Sequence, residues 1–281
     1  MNLDLAVIGN CQIAALIDAR GRLVWGCFPR LDADPVFASL LKTDPGDPGF
    51  ADVELEDFSH SEQQYLDNTA ILVTRLFDSR GNALEIRDFA PRFYQYGRSF
   101  RPVMWVRTLT PVRGAPRIRL RIRPSHGLGA HTPDTTFGSN HVRYVMPGLT
   151  LRLTTDASIL AILDEASFLL DRPLHLLLGP DETIPESAED SATRLFTQTR
   201  RYWLNWVRSL AIPFEWQDAV IRAAITLKLC AFEDTGAVLA ALTTSIPEAA
   251  NSGRNWDYRY CWLRDSYFTV HALNRLGATR T

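Results

Sequence analysis

The first part of the chain alternates apolar and polar positions with the two-residue period of β-strands. Short apolar or alternating runs recur up to about residue 182, and residues typical of turns separate them. Runs of this kind cover residues 6–8, 13–17, 23–28, 70–77, 83–89, 103–109, 118–122, 142–146, 149–154 and 159–163. Roughly ten or more strands at this spacing predict a large antiparallel β-sandwich.

Beyond this region the apolar period becomes helical. Ser187 followed by Asp190 resembles a capping box, and large apolar residues then recur three or four positions apart. A second helix is predicted over residues 215–232. A third is predicted over about 262–276, with Gly277 as its C-terminal cap.

Composition narrows the class of protein. The formal net charge of −2 gives no general attraction to nucleic acid or to an anionic membrane, so neither is predicted as a partner. The longest apolar run, 158–163, is far too short to span a bilayer. The N-terminus shows no signal peptide, and the four cysteines form no C-x-x-C pair. A cytoplasmic protein with reduced thiols is the simplest interpretation.

Residues 254–265 carry the strongest chemical pattern. Four aromatic residues alternate there with other residues: Trp256, Tyr258, Tyr260 and Trp262. An extended strand would place all four on one face. Aromatic rings bury the apolar C–H faces of sugars, while carboxylates and guanidinium groups bind sugar hydroxyls. Arg264 and Asp265, at the start of the third predicted helix, would supply those charged groups.

The same pattern has a purely structural interpretation. Alternating aromatics are also typical of a buried strand face, and Asp265 could cap a helix. Spacing alone leaves both interpretations open.

Residues 255–265, which read NWDYRYCWLRD, resemble glycoside hydrolase family 15, in particular its bacterial and archaeal branch of glucoamylase-like enzymes and trehalases. Similar stretches occur at 8–11, 14–16, 25–32, 88–92 and 243–248, so the resemblance covers essentially the whole chain.

This resemblance implies a domain order and a site. It implies an N-terminal β super-sandwich over 1–182, a helical linker over 183–212, and the first helices of an incomplete (α/α)6 barrel over 213–281. Tyr258 and Trp262 would contact a glucose ring, and Arg264 and Asp265 would bind its hydroxyls.

The family implied by the resemblance hydrolyses α-glucosidic bonds with inversion, using two glutamates. We expect no catalytic residue in this chain, because it lacks a Trp-Glu-x-Arg-like stretch and neither Glu215 nor Glu248 has a matching role. The chain is therefore expected to be inactive alone. The chemistry implies no cofactor and no metal.

Several points stay open at this level. The substrate could be an α-glucan, a maltooligosaccharide or trehalose. The alternative function is a non-catalytic truncated module for carbohydrate binding or oligomerisation. Homo-oligomer formation is an expectation because apolar helix faces could be exposed, at Val220, Leu227, Phe268 and Leu276.

Two further patterns are interpreted as structural. Arg117, Arg119, Arg121 and Arg123 alternate with apolar residues, and we favour the solvated face of an edge strand over a nucleic-acid surface. Tyr202, Trp203 and Trp206 have helical spacing, which favours core packing over a sugar platform.

Overall fold

A computed structural model describes residues 3–42, 44, 46–244 and 252–278 of the chain. Up to residue 180 these residues are mainly antiparallel strands. The strands are β1 Ala6–Gly9, β2 Ala14–Ile17, β3 Leu23–Cys27, β4 Pro35–Phe37, β5 Phe50–Leu55, β6 Phe58–Tyr65, β7 Leu72–Asp78, β8 Ala83–Phe89, β9 Phe93–Gln95, β10 Arg98–Phe100, β11 Trp105–Arg113, β12 Arg117–Arg123, β13 Asp134–Phe137, β14 His141–Met146, β15 Leu149–Thr155, β16 Phe168–Leu169 and β17 Leu174–Pro180. A 3-10 turn covers Ser39–Leu41.

Two large sheets face each other. One has the strand order β1-β2-β3-β5-β12-β16, with β4 paired to β3, and the other has the order β13-β14-β15-β17-β11-β8-β7-β6. The main buried cluster takes side chains from both sheets, for example Leu23 and Phe37 from the first and Leu84 and Leu109 from the second. The predicted antiparallel β-sandwich is therefore confirmed.

A buried ion pair lies in the sandwich interior, between neighbouring strands of the eight-stranded sheet. Arg107 in β11 and Asp88 in β8 are direct register partners, with Nε and Oδ1 2.7 Å apart. The same guanidinium donates to the carbonyl of Gly21, 2.7 Å away, and to that of Ala51. Because these carbonyls belong to the opposite side of the sandwich, Arg107 ties the two sheets together.

The strand predicted over 159–163 is wrong. Ile159–Leu163 forms a short helix, α1, whose N-cap Ser158 accepts a hydrogen bond from the amide of Ala161. Ile159 and Ile162, three positions apart, are buried, whereas Leu160 is exposed. A short apolar run fits a strand and a helix equally well, and here the serine cap and the buried three-residue spacing decide for the helix.

The interpretation of the four arginines needs correction. Their strand, β12, pairs with β5 along 118–123 and with β16 at 117–118, so it is not a free edge. The arginines face carboxylates of Asp52, Glu54, Glu56 and Glu165. The pattern thus encodes a cross-strand ladder of ion pairs.

Three longer helices follow: α2 Ala188–Arg208, α3 Gln217–Leu229 and α4 Leu263–Arg275. A short hairpin, β18 Ala231–Phe232 with β19 Ala237–Val238, lies between α3 and α4. The predicted cap of α2 is confirmed, since Ser187 accepts a hydrogen bond from the amide of Asp190 at 3.0 Å. The predicted C-terminal cap is also confirmed, since Gly277 has a φ of +72°.

The helices pack on the sandwich. One side of α2 covers the outer face of the eight-stranded sheet, where Leu195 meets Val106 and Leu177. Core packing of the α2 aromatics is confirmed: Tyr202, Trp203 and Trp206 are buried together with residues of β1, α3 and α4.

The expected apolar patch is only partly present. Leu227 and Leu276 pack against the helical core and Val220 is half-buried, whereas Phe268 is exposed. Among the described helices, none combines the length and apolarity needed to cross a membrane.

A buried charged network joins the helices to the sandwich. Arg92, which follows β8, donates to the carbonyl of Asn10 at 2.7 Å and forms an ion pair with Glu233. Glu233 also pairs with Lys228 of α3, at 3.2 Å, and with Arg101, at 2.6 Å. Burial raises the pKa of Glu233, but these cations outweigh that effect and hold it below its usual 4.5.

Candidate functional site

Residues 255–262 do not form the extended strand that would place all four aromatic residues on one face. The segment is irregular and meets the preceding chain through two isolated bridges, Leu239 with Cys261 and Thr244 with Asp257. The amides of Ala240 and Ala241 donate to the carbonyls of Tyr260 and Tyr258, at 3.1 and 2.9 Å. The segment is thus attached along 239–244 without becoming a regular strand.

The aromatic residues of this segment are not core residues. Trp256 is 40% exposed and Tyr260 54% exposed. Tyr258 and Trp262 are half-buried and stack on each other, with ring centroids 5.6 Å apart and planes 25° apart. The interpretation as a buried strand face is therefore wrong. Tyr258 and Trp262 instead form a partly open aromatic surface.

Two charged residues adjoin this surface. Trp262 occupies the N-cap position of α4, and Asp265 lies in its first turn. No side chain caps α4, so the alternative role of Asp265 as a cap is wrong. The Arg264 guanidinium carbon lies 5.9 Å from the centre of the Trp262 ring. Arg264 Nη2 donates to Asp265 Oδ2 at 3.2 Å.

Both charged groups are accessible. The side chain of Arg264 is 69% exposed and that of Asp265 33% exposed. The contact between them engages one oxygen of Asp265, so hydrogen-bonding capacity remains on both side chains. Of the predicted residues, Tyr258 and Trp262 thus stack on each other, Arg264 lies near the Trp262 ring, and Asp265 contacts Arg264.

Asp257 and Arg259 lie in the same segment and were not singled out from the sequence. Arg259 is 9% exposed, and its Nη2 donates to Asp257 Oδ2 at 2.7 Å and its Nε to Asp257 Oδ1 at 3.0 Å. Its Nη1 donates to the carbonyl of Ala33 at 2.5 Å and lies 3.5 Å from Cys27 Sγ. Their spacing, Asp-x-Arg among alternating aromatics, is the signal that could have revealed the pair.

The pair alters the pKa values of its surroundings. Burial raises the pKa of Asp257, but hydrogen bonds from Arg259 outweigh it and hold the value below 3.8. Burial raises the pKa of Cys27 to about 11, although Arg259 opposes this shift. Asp257 therefore stays ionised near neutral pH, whereas Cys27 stays a thiol.

All four cysteines are free thiols. In the described ranges, no group of three or more His, Cys, Asp and Glu is arranged to hold a metal ion. Glu215 is exposed and precedes α3. Glu248 lies outside the described residues.

Two known families match parts of the chain. Residues 216–281 match the family described as glycosyl hydrolases family 15, and residues 3–128 match the trehalase-like N-terminal domain. The resemblance to glycoside hydrolase family 15 is confirmed. The family 15 match contains every residue of the candidate site, and the N-terminal match contains the sandwich loop that Arg259 contacts.

Relatives of known name are similar over almost the whole chain. Trehalases of Thermoplasma volcanium and Mycolicibacterium smegmatis are 28% and 29% identical, over 96% and 99% of this chain. Trehalase 1 of Sulfolobus acidocaldarius is 29% identical over 96%. The alignments cover 44%, 45% and 45% of these relatives, so this chain spans less than half of their length.

Proposed function

We propose that Tyr258, Trp262, Arg264 and Asp265 form a glucose-binding subsite of an enzyme that hydrolyses α-glucosidic bonds. The observation that carries this proposal is the half-open Tyr258–Trp262 stack with an exposed guanidinium and carboxylate beside it. Trehalose is the first candidate substrate, because the relatives are named trehalases. Maltooligosaccharides and α-glucans are the other candidates.

The residue types suit a neutral sugar. The aromatic stack covers the apolar C–H face of a pyranose ring, which is favourable because that face leaves water. Asp265 accepts hydrogen bonds from hydroxyl groups, and Arg264 donates to hydroxyl oxygens. The guanidinium of Arg264 and the carboxylate of Asp265 together bring no net charge to the site, which suits a neutral glucose unit.

Hydrolysis itself needs two further carboxyl groups. In an inverting displacement, one carboxylic acid protonates the glycosidic oxygen as its bond to the anomeric carbon breaks. A carboxylate takes a proton from the water that attacks the opposite face, and the two carboxyl groups stand roughly 6.5–9.5 Å apart. We assign neither role to a residue of this chain.

The domain assignment is part of the same proposal. Residues 1–182 form the sandwich domain, 183–212 the linker, and 213–281 contribute helices to an (α/α)6 barrel. In support, residues 216–281, which match family 15, contain α3, α4 and the proposed subsite. A purely non-catalytic module is not favoured, because the chain matches trehalases along nearly its full length.

Calorimetric titration with trehalose, maltose and glucose tests the subsite. We expect saturable binding that Trp262→Ala and Asp265→Asn each weaken by at least about tenfold, since each removes a direct contact. Trp216→Ala is the matched control, because Trp216 is 80% exposed and lies outside the proposed subsite. Equal affinity in all four proteins would contradict the subsite.

An activity assay tests the assignment of the carboxyl groups. The purified chain should release no glucose from trehalose, maltose, isomaltose or maltotriose. Clear glucose release would show that the acid and the base lie within residues 1–281.

A further inference from the structure

We infer that Arg259 is a positioning residue that docks the aromatic segment onto the β3–β4 loop of the sandwich and thereby fixes the geometry of Tyr258 and Trp262. The sandwich would then be a working part of the sugar subsite and not only a neighbouring domain. This inference rests on the proposed function, because it gives Arg259 a role in sugar affinity.

The environment of Arg259 differs from that of its neighbours. Tyr260 and Arg264 extend into solvent, whereas the Arg259 guanidinium is buried. A buried cation is costly unless its donors are satisfied. Asp257 satisfies two of them, and the Ala33 carbonyl in the β3–β4 loop satisfies a third.

A second contact fixes the same two parts of the molecule. Trp25 in β3 donates from its indole Nε1 to the carbonyl of Leu242, at 2.7 Å. Leu242 belongs to the stretch whose backbone pairs with residues 257–261. Thus β3 and its loop contact both stretches that pair with each other, 239–244 through Leu242 and 257–261 through Arg259.

The chain geometry explains how docking reaches the sugar-binding rings. Tyr258 is directly adjacent to Arg259, and its carbonyl is bonded to the amide of Ala241. With Arg259 and Ala241 both held, Tyr258 is fixed opposite Trp262. Loss of the anchor leaves the rings intact but disordered before binding, so affinity falls through the cost of ordering them.

Lysine should not replace Arg259. A lysine ammonium lacks the planar fork that donates to both oxygens of Asp257 while also reaching a carbonyl on the other side. We therefore expect Arg259→Lys and Arg259→Met to be impaired to a similar extent.

The matched control is another bidentate pair. Arg121 donates to Asp52 at 2.9 and 2.7 Å, and both residues lie in the sandwich. Arg121→Met removes a comparable ion pair without touching the aromatic segment. We expect Arg259→Met to weaken trehalose or glucose binding by about tenfold and Arg121→Met by less than about twofold. Equal effects would overturn the inference.

The thiol of Cys27 supplies a readout that does not depend on sugar. Cys27 is 2% exposed and lies beneath Arg259, whereas Cys261 is exposed. A neutral alkylating reagent, applied at a pH alkaline enough to ionise part of the Cys27 thiol and followed by mass spectrometry, should label Cys261 in every protein and Cys27 only in the Arg259 variants.

The two readouts separate the possible failures. If Cys27 stays protected in Arg259→Met, docking by Arg259 is wrong. If Cys27 is labelled but sugar affinity is unchanged, the positioning role is wrong. If no protein binds sugar, the proposed function and the sugar role of Arg259 fail together, while labelling of Cys27 still decides whether Arg259 docks the segment.

Discussion

The sandwich with α2 and the segment 256–265 place the same types of residue in opposite environments. Trp25 and Trp203 are 1% and 0% exposed and fill hydrophobic clusters. The side chain of Trp256 is 40% exposed, and that of Trp262 is half-buried. Large aromatics are expected in cores, and the open rings of this segment depart from that expectation, as does Trp216, which is 80% exposed.

The arginines show the same contrast. Arg107 is enclosed with Asp88 and two backbone carbonyls, which fits a structural role. Arg264 is mostly exposed and has one contact with a neighbouring carboxylate. Arg259 combines the two situations, because it is buried but belongs to the exposed segment. Burial, rather than residue type, therefore distinguishes an arginine with a structural role, such as Arg107, from one proposed to bind a ligand, such as Arg264.

The largest expected change in the free energy of unfolding comes from replacing a buried tryptophan. Trp203→Ala should lower the free energy of unfolding by about 4 kcal/mol, because it removes a fully buried ring and leaves a cavity. Trp256→Ala should change it by no more than about 1 kcal/mol, because the indole is 40% exposed and lies outside the buried clusters. Urea denaturation of both variants measures the difference. Similar losses would mean that the segment is part of the core.

Replacing a buried aspartate should lower the free energy of unfolding by a smaller amount. Asp88→Ala should cost about 3 kcal/mol, because it leaves Arg107 buried without its charge partner. The loss stays at the lower end of the usual range because the carbonyls of Gly21 and Ala51 still accept hydrogen bonds. Asp265→Ala should leave urea stability within about 0.5 kcal/mol of the parent. A large loss for Asp265→Ala would assign it a structural role.

Acid should weaken the charged network that Glu233 forms between the sandwich and α3. Because the pKa of folded Glu233 lies below 4.5, its ionised form stabilises the network fully above pH 4.5. This contribution is lost as the pH falls through the lowered pKa. Melting temperatures should therefore fall below pH 4.5, and Glu233→Gln should flatten that fall while lowering stability at pH 7.

Glu62→Gln is the control for that experiment, because Glu62 is an exposed residue of β6. The same acid dependence in the parent chain and in Glu233→Gln would exclude Glu233 as its source.

Much of the fold follows from local pattern. The run 83–89 is strand β8 in the structure, because alternation and flanking turns are both strong there. Residues 159–163 were assigned to a strand because a five-residue apolar run has no clear period. The buried strand Leu174–Pro180 was not recognised, since it lies close to the change to helical pattern.

The candidate site was only partly predictable. Alternation identified the aromatic residues, and the start of the third predicted helix identified Arg264 and Asp265. The resemblance then gave Tyr258, Trp262, Arg264 and Asp265 a role in binding glucose. The pairing of Arg259 with a loop more than two hundred residues earlier has no local signal, since it depends on how distant elements pack. For the same reason, alternation alone did not show that the anchoring of Arg259 and the flanking bridges give an irregular segment.

The most direct test is chemical-shift mapping of the aromatic side chains during titration with trehalose and with glucose. We expect saturable shifts at Tyr258 and Trp262, and no change at Trp25 or Trp203. Shifts spread over the buried tryptophans, or none at Tyr258 and Trp262 at saturating sugar, would contradict the assignment of this segment as the sugar-binding surface.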